Sequence, residues 1–112
     1  MEIEVKAAKR IEDGRHEGTI TAVEYRTTPF EYTDIVVTLK DGQKVKTGVP
    51  TTITPESKLG KILIDFGVSL KVGSKIDPEE NLLNKKCSLM TMTRVTERGS
   101  FANVVQGSLK PR

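Results

Sequence analysis

The sequence predicts an all-β domain with one main helix. Five segments are rich in β-branched residues or alternate between apolar and polar residues, a composition typical of strands. Between the third and fourth of these segments, apolar residues recur at the spacing of a helix. A chain of 112 residues has the size of one ordinary domain with a single core. We therefore expect residues 1–112 to form one domain.

The first strand is predicted at residues 18–26, after a charged turn at residues 12–17 and a short extended arm at residues 2–6. Ile20 and Val23 are three positions apart, which breaks strict alternation. A β-bulge between them would place both side chains on one face and coil the strand. We expect that arrangement.

The second and third strands are predicted at residues 32–40 and 43–49. The Asp-Gly pair between them favours a tight hairpin, because glycine supplies the positive φ that such turns require. Alternation places Ile35 on the inner face of the second strand. In the third strand it directs Lys44 and Lys46 outward.

The main helix is predicted to begin at Thr54-Pro55-Glu56. This tripeptide offers an N-cap hydroxyl, a proline at the first helical position and an acid in the first turn. Gly67 stands where a C-terminal cap is expected. Gly60 suits a close packing contact within the helix. The apolar face consists of Leu59, Ile62, Leu63 and Phe66.

A short second helix is predicted from Asp77 through Leu83, and the last strands at residues 86–96 and 101–109. Three strands, a helix and two strands is the order of a five-stranded OB-fold barrel, β1-β2-β3-α-β4-β5, in which the helix plugs one end. Closure would also remove exposed strand edges. An open α+β sheet with the helix on one face is the alternative.

The residue inventory offers little for catalysis. His16 is the only histidine, and no nucleophile motif accompanies it. Cys87, the only cysteine, excludes an internal disulfide and a four-cysteine zinc site. It alternates with apolar positions, so we expect a small buried residue rather than a reactive thiol. The sequence therefore predicts no enzyme, no cofactor and no metal site.

The charge distribution allows two interpretations. The formal net charge is +3, divided into −2 for residues 1–56 and +5 for residues 57–112. A basic half could face a polyanion, or it could be an ordinary solvated surface. The sequence contains neither a signal peptide nor an apolar run of about 20 residues. We expect a cytoplasmic protein with no membrane partner.

Candidate binding residues cluster around the second and third strands. On an OB-fold the binding groove crosses these strands and their flanking loops. Cations there follow phosphates, and aromatic rings stack on bases. Structural roles are the alternatives, since Phe30 could seal the open end of the barrel and Tyr25 could be a core residue with its hydroxyl at the rim. Phe101 is expected in the core. The candidate nucleic-acid contacts are Tyr25, Arg26, Phe30, Tyr32, Lys44, Lys46, Arg94 and Arg98.

Three stretches of the second half form a pattern of their own. They are Ser57-Lys58-Leu59-Gly60-Lys61 through Phe66-Gly67, Leu82-Leu83-Asn84-Lys85-Lys86-Cys87 through Gly99-Ser100-Phe101-Ala102-Asn103-Val104, and Leu109-Lys110-Pro111. These stretches, about half the chain from Ser57 onward, together with the strand order of the rest, resemble small phage-type and archaeal single-stranded-DNA-binding proteins. The resemblance implies an OB-fold that coats single-stranded DNA during replication or recombination.

Two departures from the family pattern change what the resemblance implies. Asn84 stands where a glycine is common, and the sequence ends Lys110-Pro111-Arg112 rather than in an acidic tail. We therefore do not expect recruitment of replication partners through such a tail.

Two functional hypotheses follow from the sequence. The first is a non-enzymatic module that binds single-stranded DNA or RNA. The second is a protein-interaction or self-assembly module that would use the face of Met90 and Met92, because fold does not fix function.

Overall fold

The computed structural model describes residues 1–4 and 11–112. Every described ladder is antiparallel, and the strand order is β3-β2-β1-β4-β5, with β6 paired to β4. The protein is mostly antiparallel sheet with few helices, which confirms the all-β prediction. The elements are β1 (Gly14–Arg26), β2 (Tyr32–Leu39), β3 (Lys44–Pro50), α1 (Lys58–Asp65), α2 (Pro78–Leu82), β4 (Lys86–Thr96), β5 (Gly99–Val104) and β6 (Lys110–Pro111).

The hydrogen-bonded sheet is open. β3 and β5 stand at its two ends and touch each other, but they share no ladder among the described residues. The closed five-stranded barrel is thus not confirmed. Of the predicted arm, residues 2–4 are not in a strand, and residues 5 and 6 lie outside the described residues.

β1 is longer than predicted. It begins at Gly14, inside the stretch predicted as a turn, because residues 14–19 pair with β4, from Gly14 opposite Thr91 to Thr19 opposite Lys86. The paired segments are far apart in the sequence, so no local sequence pattern predicts this extension of β1. The predicted bulge is confirmed by a register shift between Ile20 and Ala22.

The β2–β3 hairpin forms at the predicted turn. Gly42 has a φ of 90°, and the side chain of Asp41 accepts a hydrogen bond from the amide of Gln43 at 2.9 Å. Each strand is displaced by one residue at this turn, since β2 ends at Leu39 and β3 begins at Lys44. The backbone amide of Leu39 donates to the carbonyl of Gln43 at 2.7 Å, and that of Gly42 donates to the carbonyl of Leu39 at 2.9 Å, which closes the turn.

The predicted start of the main helix was wrong. Ser57 is the N-cap of α1, because its Oγ accepts the amide of Gly60 at 3.0 Å. Thr54 caps the preceding turn, where its Oγ1 accepts the amide of Ser57 at 3.0 Å. The close contact expected at Gly60 is confirmed, since a Cβ there would lie 1.7 Å from the carbonyl oxygen of Thr54.

The second helix begins as predicted. Asp77 is its N-cap and accepts the amides of Glu79 and Glu80, at 3.0 and 3.3 Å. The helix ends at Leu82, one residue early. Asn84 then adopts a φ of 66°, the left-handed conformation that glycine favours.

β4 has the predicted bounds, whereas β5 ends at Val104 instead of residue 109. The chain turns at Gly107, which has a φ of 79°. It is fastened there by Ser108, whose Oγ accepts the amide of Met90 at 3.0 Å. The chain then returns to β4 as β6.

The core lies on the inner face of the sheet, against the two helices. Cys87 is fully buried, as predicted, and burial raises the pKa of its thiol to about 11. Phe66 and Ile62 pack against this core while remaining partly exposed. Within the described chain, no helix has the length and apolar character required to cross a bilayer. The core residues are Ile20, Val23, Ile35, Val37, Leu39, Val45, Val49, Leu59, Leu63, Leu82, Cys87, Leu89 and Leu109.

Candidate nucleic-acid interface

One exposed surface carries half of the predicted contacts. We call it the outer face, meaning the side chains of β1, β2 and β3 that point away from the core. Residues opposite one another on neighbouring strands share a face. The rows that cross the outer face are Arg26, Tyr32 and Pro50; Glu24, Asp34 and Gly48; Ala22, Val36 and Lys46; and Thr19, Thr38 and Lys44.

A buried carboxylate lies in this face. Asp34 is 1% exposed, yet its Oδ1 accepts from Arg26 Nη2 at 3.0 Å and its Oδ2 lies 2.5 Å from Arg26 Nε. Only the contact to Oδ1 has hydrogen-bond geometry, and Oδ2, which is buried, is stabilised by the nearby positive charge. Lys46 Nζ is 4.0 Å from the same Oδ2. Asp34 therefore compensates much of the charge of Arg26.

Gly48 makes room for this ion pair. It lies opposite Asp34 in the ladder, and a Cβ at this position would lie 2.7 Å from Asp34 Oδ1 and 3.2 Å from Arg26 Nη2. Sequence reasoning missed both Asp34 and Gly48. The available signal was an acid on the outward positions of β2 that faced a glycine across the predicted hairpin.

Arg26 also covers an aromatic ring. Its guanidinium carbon is 5.2 Å from the ring centroid of Tyr32, within the range of a cation–π contact. The ring is held in place from one side and stays partly exposed. The structure thus brings Arg26 and Tyr32 together, as predicted.

Two lysines complete the outer face. Lys44 and Lys46 are both exposed on β3, about 6.6 Å apart at the rise of a strand. Lys44 forms no ion pair within residues 1–4 and 11–112. Phe30 lies in the loop that leads into β2, two residues before Tyr32, and is 70% exposed. It does not seal the core.

Tyr25 lies on the opposite side of β1 from Arg26. It faces Thr33 in the ladder, and its hydroxyl lies 3.5 Å from Asp77 Oδ1 and accepts the amide of Glu79 at 3.4 Å. Burial, together with the negative charge of Asp77, raises the pKa of its hydroxyl. Tyr25 is thus anchored at the start of α2, and the structure separates it from the outer face.

Arg94 and Arg98 lie on the β4–β5 hairpin. Arg94 is opposite Phe101, whose 51% exposure shows that the core position expected for it was wrong. Beyond Thr91 the β4 side chains on both faces are exposed, although Asp13 Oδ1 accepts the amide and the hydroxyl of Thr93, at 2.7 and 2.6 Å. Neither arginine makes an ion pair with any part of the chain that the structure describes.

Comparison with known proteins assigns no family. A scan against protein-family models found no match, and a search of curated proteins found no significant relative. The resemblance to single-stranded-DNA-binding proteins stays a prediction.

Proposed function

We propose that the protein is a non-enzymatic module that binds single-stranded nucleic acid, preferably DNA, on its outer face. The observation that carries the proposal is the joint exposure of Tyr32, Lys44 and Lys46 on one sheet face. Lys44 makes no ion pair among the described residues, Lys46 lies 4.0 Å from Asp34 Oδ2, and the ring of Tyr32 stays partly exposed beside Arg26. A base stacked on Tyr32 is worth about 1–3 kcal/mol, and the lysines supply charge to phosphates.

We also propose that the sheet is an OB-type barrel with an unjoined seam between β3 and β5. The strand order β3-β2-β1-β4-β5 supports this topology, as do the contact between β3 and β5 and the position of α1 between β3 and β4. On such a barrel the outer face of β2 and β3 is the surface that binds oligonucleotides.

Arg26 mainly positions Tyr32 in this proposal. Its contacts with Asp34 and with the ring of Tyr32 hold that ring in place. Asp34 already neutralises its charge, so Arg26 contributes less to phosphate binding than Lys44 does. We keep Phe30, Arg94 and Arg98 as further contacts on adjacent loops and the hairpin, and we remove Tyr25 from the stacking set.

The test is fluorescence anisotropy of a dye-labelled single-stranded oligonucleotide, with the matching duplex as competitor. We expect saturable binding that prefers the single strand and a log–log salt slope near −3, since about four phosphate contacts each contribute ~0.7. The variant Lys44→Glu with Lys46→Glu should abolish binding at moderate salt. The matched control, Lys71→Glu with Lys75→Glu, changes the charge equally in the exposed connection between the helices and should bind normally. Equal losses in both variants would contradict a localised site.

Protein interaction is a second candidate function. It rests on Met90, Met92 and Phe101, which point to one side of the β4–β5 hairpin and are 49%, 61% and 51% exposed. Size-exclusion chromatography with light scattering tests it. Self-association that survives Lys44→Glu with Lys46→Glu, together with no oligonucleotide binding by the wild type, would favour this function over the first.

A further inference from the structure

A second cationic region adjoins the outer face. Lys44 on β3 faces Thr38 on β2, Thr38 faces Thr19 on β1, and Thr19 faces Lys86 on β4. These side chains form one row across four strands, because directly opposite residues share a face. We call this row the threonine row. Three inter-strand steps of about 4.8 Å give it a length of about 14 Å.

A hollow of about 420 Å³ opens along the threonine row. Its polar lining includes the hydroxyl groups of Thr21 and Thr38, which are 2.8 Å apart and hydrogen-bonded to each other. Hydroxyls of this kind donate to phosphate oxygens in nucleic-acid complexes. The lining residues are Gly18, Thr19, Thr21, Thr38, Leu39, Lys40, Lys86 and Arg112.

Three cations converge on this hollow. The backbone amide of Arg112 donates to the carbonyl of Lys86 at 3.1 Å, which holds the two residues side by side. Lys40 lines the opposite side. Lys86 has no ion-pair partner among the residues that the structure describes.

A single acid restrains two of these cations. Glu17 Oε2 lies 2.9 Å from Lys40 Nζ and 3.2 Å from Arg112 Nη2. The hydrogen bond from Lys40, with added attraction from Arg112, holds the pKa of Glu17 below its usual value. Glu17 is therefore ionised at neutral pH, and its one charge is shared between two cations.

We propose that the hollow binds phosphodiester groups of the same strand that occupies the outer face. The backbone of the nucleic acid then runs across the sheet, from Lys44 over the threonine hydroxyls to Lys86 and Arg112. This assignment rests on the proposed function. It adds Lys86 on β4 and Arg112, which follows β6, and both lie outside the groove expected from strand order.

The test compares salt slopes of oligonucleotide binding. Lys86 and Arg112 raise the expected phosphate contacts from about four to about six, so on this assignment the wild-type slope is about −4. The variant Lys86→Gln with Arg112→Gln should lower its magnitude by about 1.4, since each lost contact to a single strand removes ~0.7. The control Lys71→Gln with Lys75→Gln removes two exposed lysines elsewhere and should leave the slope unchanged. Circular dichroism of each variant confirms that the sheet is intact.

Glu17→Gln supplies a readout of opposite sign. Removing this carboxylate frees Lys40 and Arg112, so affinity at low salt should increase roughly threefold. Loss of a merely structural ion pair would not tighten binding. Weaker or unchanged binding would overturn the assignment.

The outcomes separate the two proposals. Suppose that the wild type binds and that Lys44→Glu with Lys46→Glu abolishes binding. If Lys86→Gln with Arg112→Gln then leaves the slope unchanged, the hollow does not bind the strand, while binding on the outer face is supported. If the wild type binds no oligonucleotide at low salt, both proposals are overturned. A reduced slope together with the gain from Glu17→Gln supports both.

Discussion

The outer face and the distal half of the β4–β5 hairpin are built from similar strand sequences but have different surroundings. Behind the outer face, the inward residues of β1, β2 and β3 are buried against the core. In the hairpin beyond Thr91, inward and outward positions are both exposed, including Val95 at 77%. The inward side chains of the first region pack in the core, whereas those of β4 beyond Thr91 are exposed.

This difference shows that the alternation of apolar and polar residues predicts which side chains share a face but does not predict what covers that face. Cys87, Leu89, Thr91, Thr93 and Val95 lie on one side of β4, as expected from their spacing. Only the first three are buried. β6 pairs with Cys87 and Ser88 in the proximal half of β4, and the β4 side chains beyond Thr91 are exposed.

The largest expected effect is on the free energy of unfolding. Ile35→Ala removes a fully buried side chain of β2 and should cost about 3–4 kcal/mol, because a cavity is left in the core. Val95→Ala in the exposed hairpin should change the free energy by less than about 0.5 kcal/mol. Urea unfolding measures both. Similar losses of unfolding free energy at the two positions would contradict the difference in packing between the two regions.

The pH dependence of stability should identify the buried thiol on the proximal half of β4. The thiol of Cys87 titrates near 9.0 in the unfolded chain and near 11 when buried. Above pH 9 the unfolded chain ionises first, so the stability that this group contributes is complete below pH 9 and is lost as the pH approaches 11. The loss is about 2–3 kcal/mol.

Urea unfolding at pH 8 and pH 10.5 measures this loss, with Cys87→Ala as the reference for all other titrating groups. The stability difference between wild type and variant should shrink as the pH rises. A constant difference would show that the thiol is not buried in the folded protein.

A somewhat smaller loss of unfolding free energy should distinguish Arg26 from Arg94. Arg26→Ala leaves the buried carboxylate of Asp34 without its main partner and should cost about 2 kcal/mol. Arg94→Ala on the hairpin should cost almost nothing. Adding Asp34→Asn to Arg26→Ala should recover part of the loss, because the stranded charge is then removed. No recovery would mean that the ion pair is not the reason for the cost.

The smallest expected effect concerns the methionines of the hairpin. Met90 and Met92 are 49% and 61% exposed, so dilute peroxide should convert both to sulfoxides without unfolding the chain. The free energy of unfolding should change by less than about 0.5 kcal/mol. Mass spectrometry of peptides follows the oxidation. Slow oxidation of Met92, at a rate equal to that of a buried side chain, would indicate that something covers the hairpin.

Local sequence signals predicted much of the fold. The bulge after Ile20, the hairpin at Gly42 and the N-cap at Asp77 each depend on residues within a few positions. Predicted strand bounds were wrong where contacts between residues far apart in the sequence determine them. Residues 14–17 became part of β1 only by pairing with β4, and β5 ended early where Ser108 binds Met90.

The candidate site was predicted less completely than the fold. Alternation directed Lys44 and Lys46 outward, and both are exposed in the structure. It could not show that Asp34 and Gly48 accommodate Arg26, because that contact depends on cross-strand register. Tyr25 points to the opposite side of β1 from Arg26 because the two residues are consecutive in the strand, and its hydroxyl accepts the amide of Glu79 in α2.

The most direct test of the central claim is a map of amide chemical-shift changes in the ¹⁵N-labelled protein as a short single-stranded oligonucleotide is added. We predict that the changes concentrate on β2 and β3 around Tyr32, Lys44 and Lys46, with smaller changes at residues 94–101. Changes confined to the β4–β5 hairpin, or no changes at low salt with excess oligonucleotide, would contradict the account.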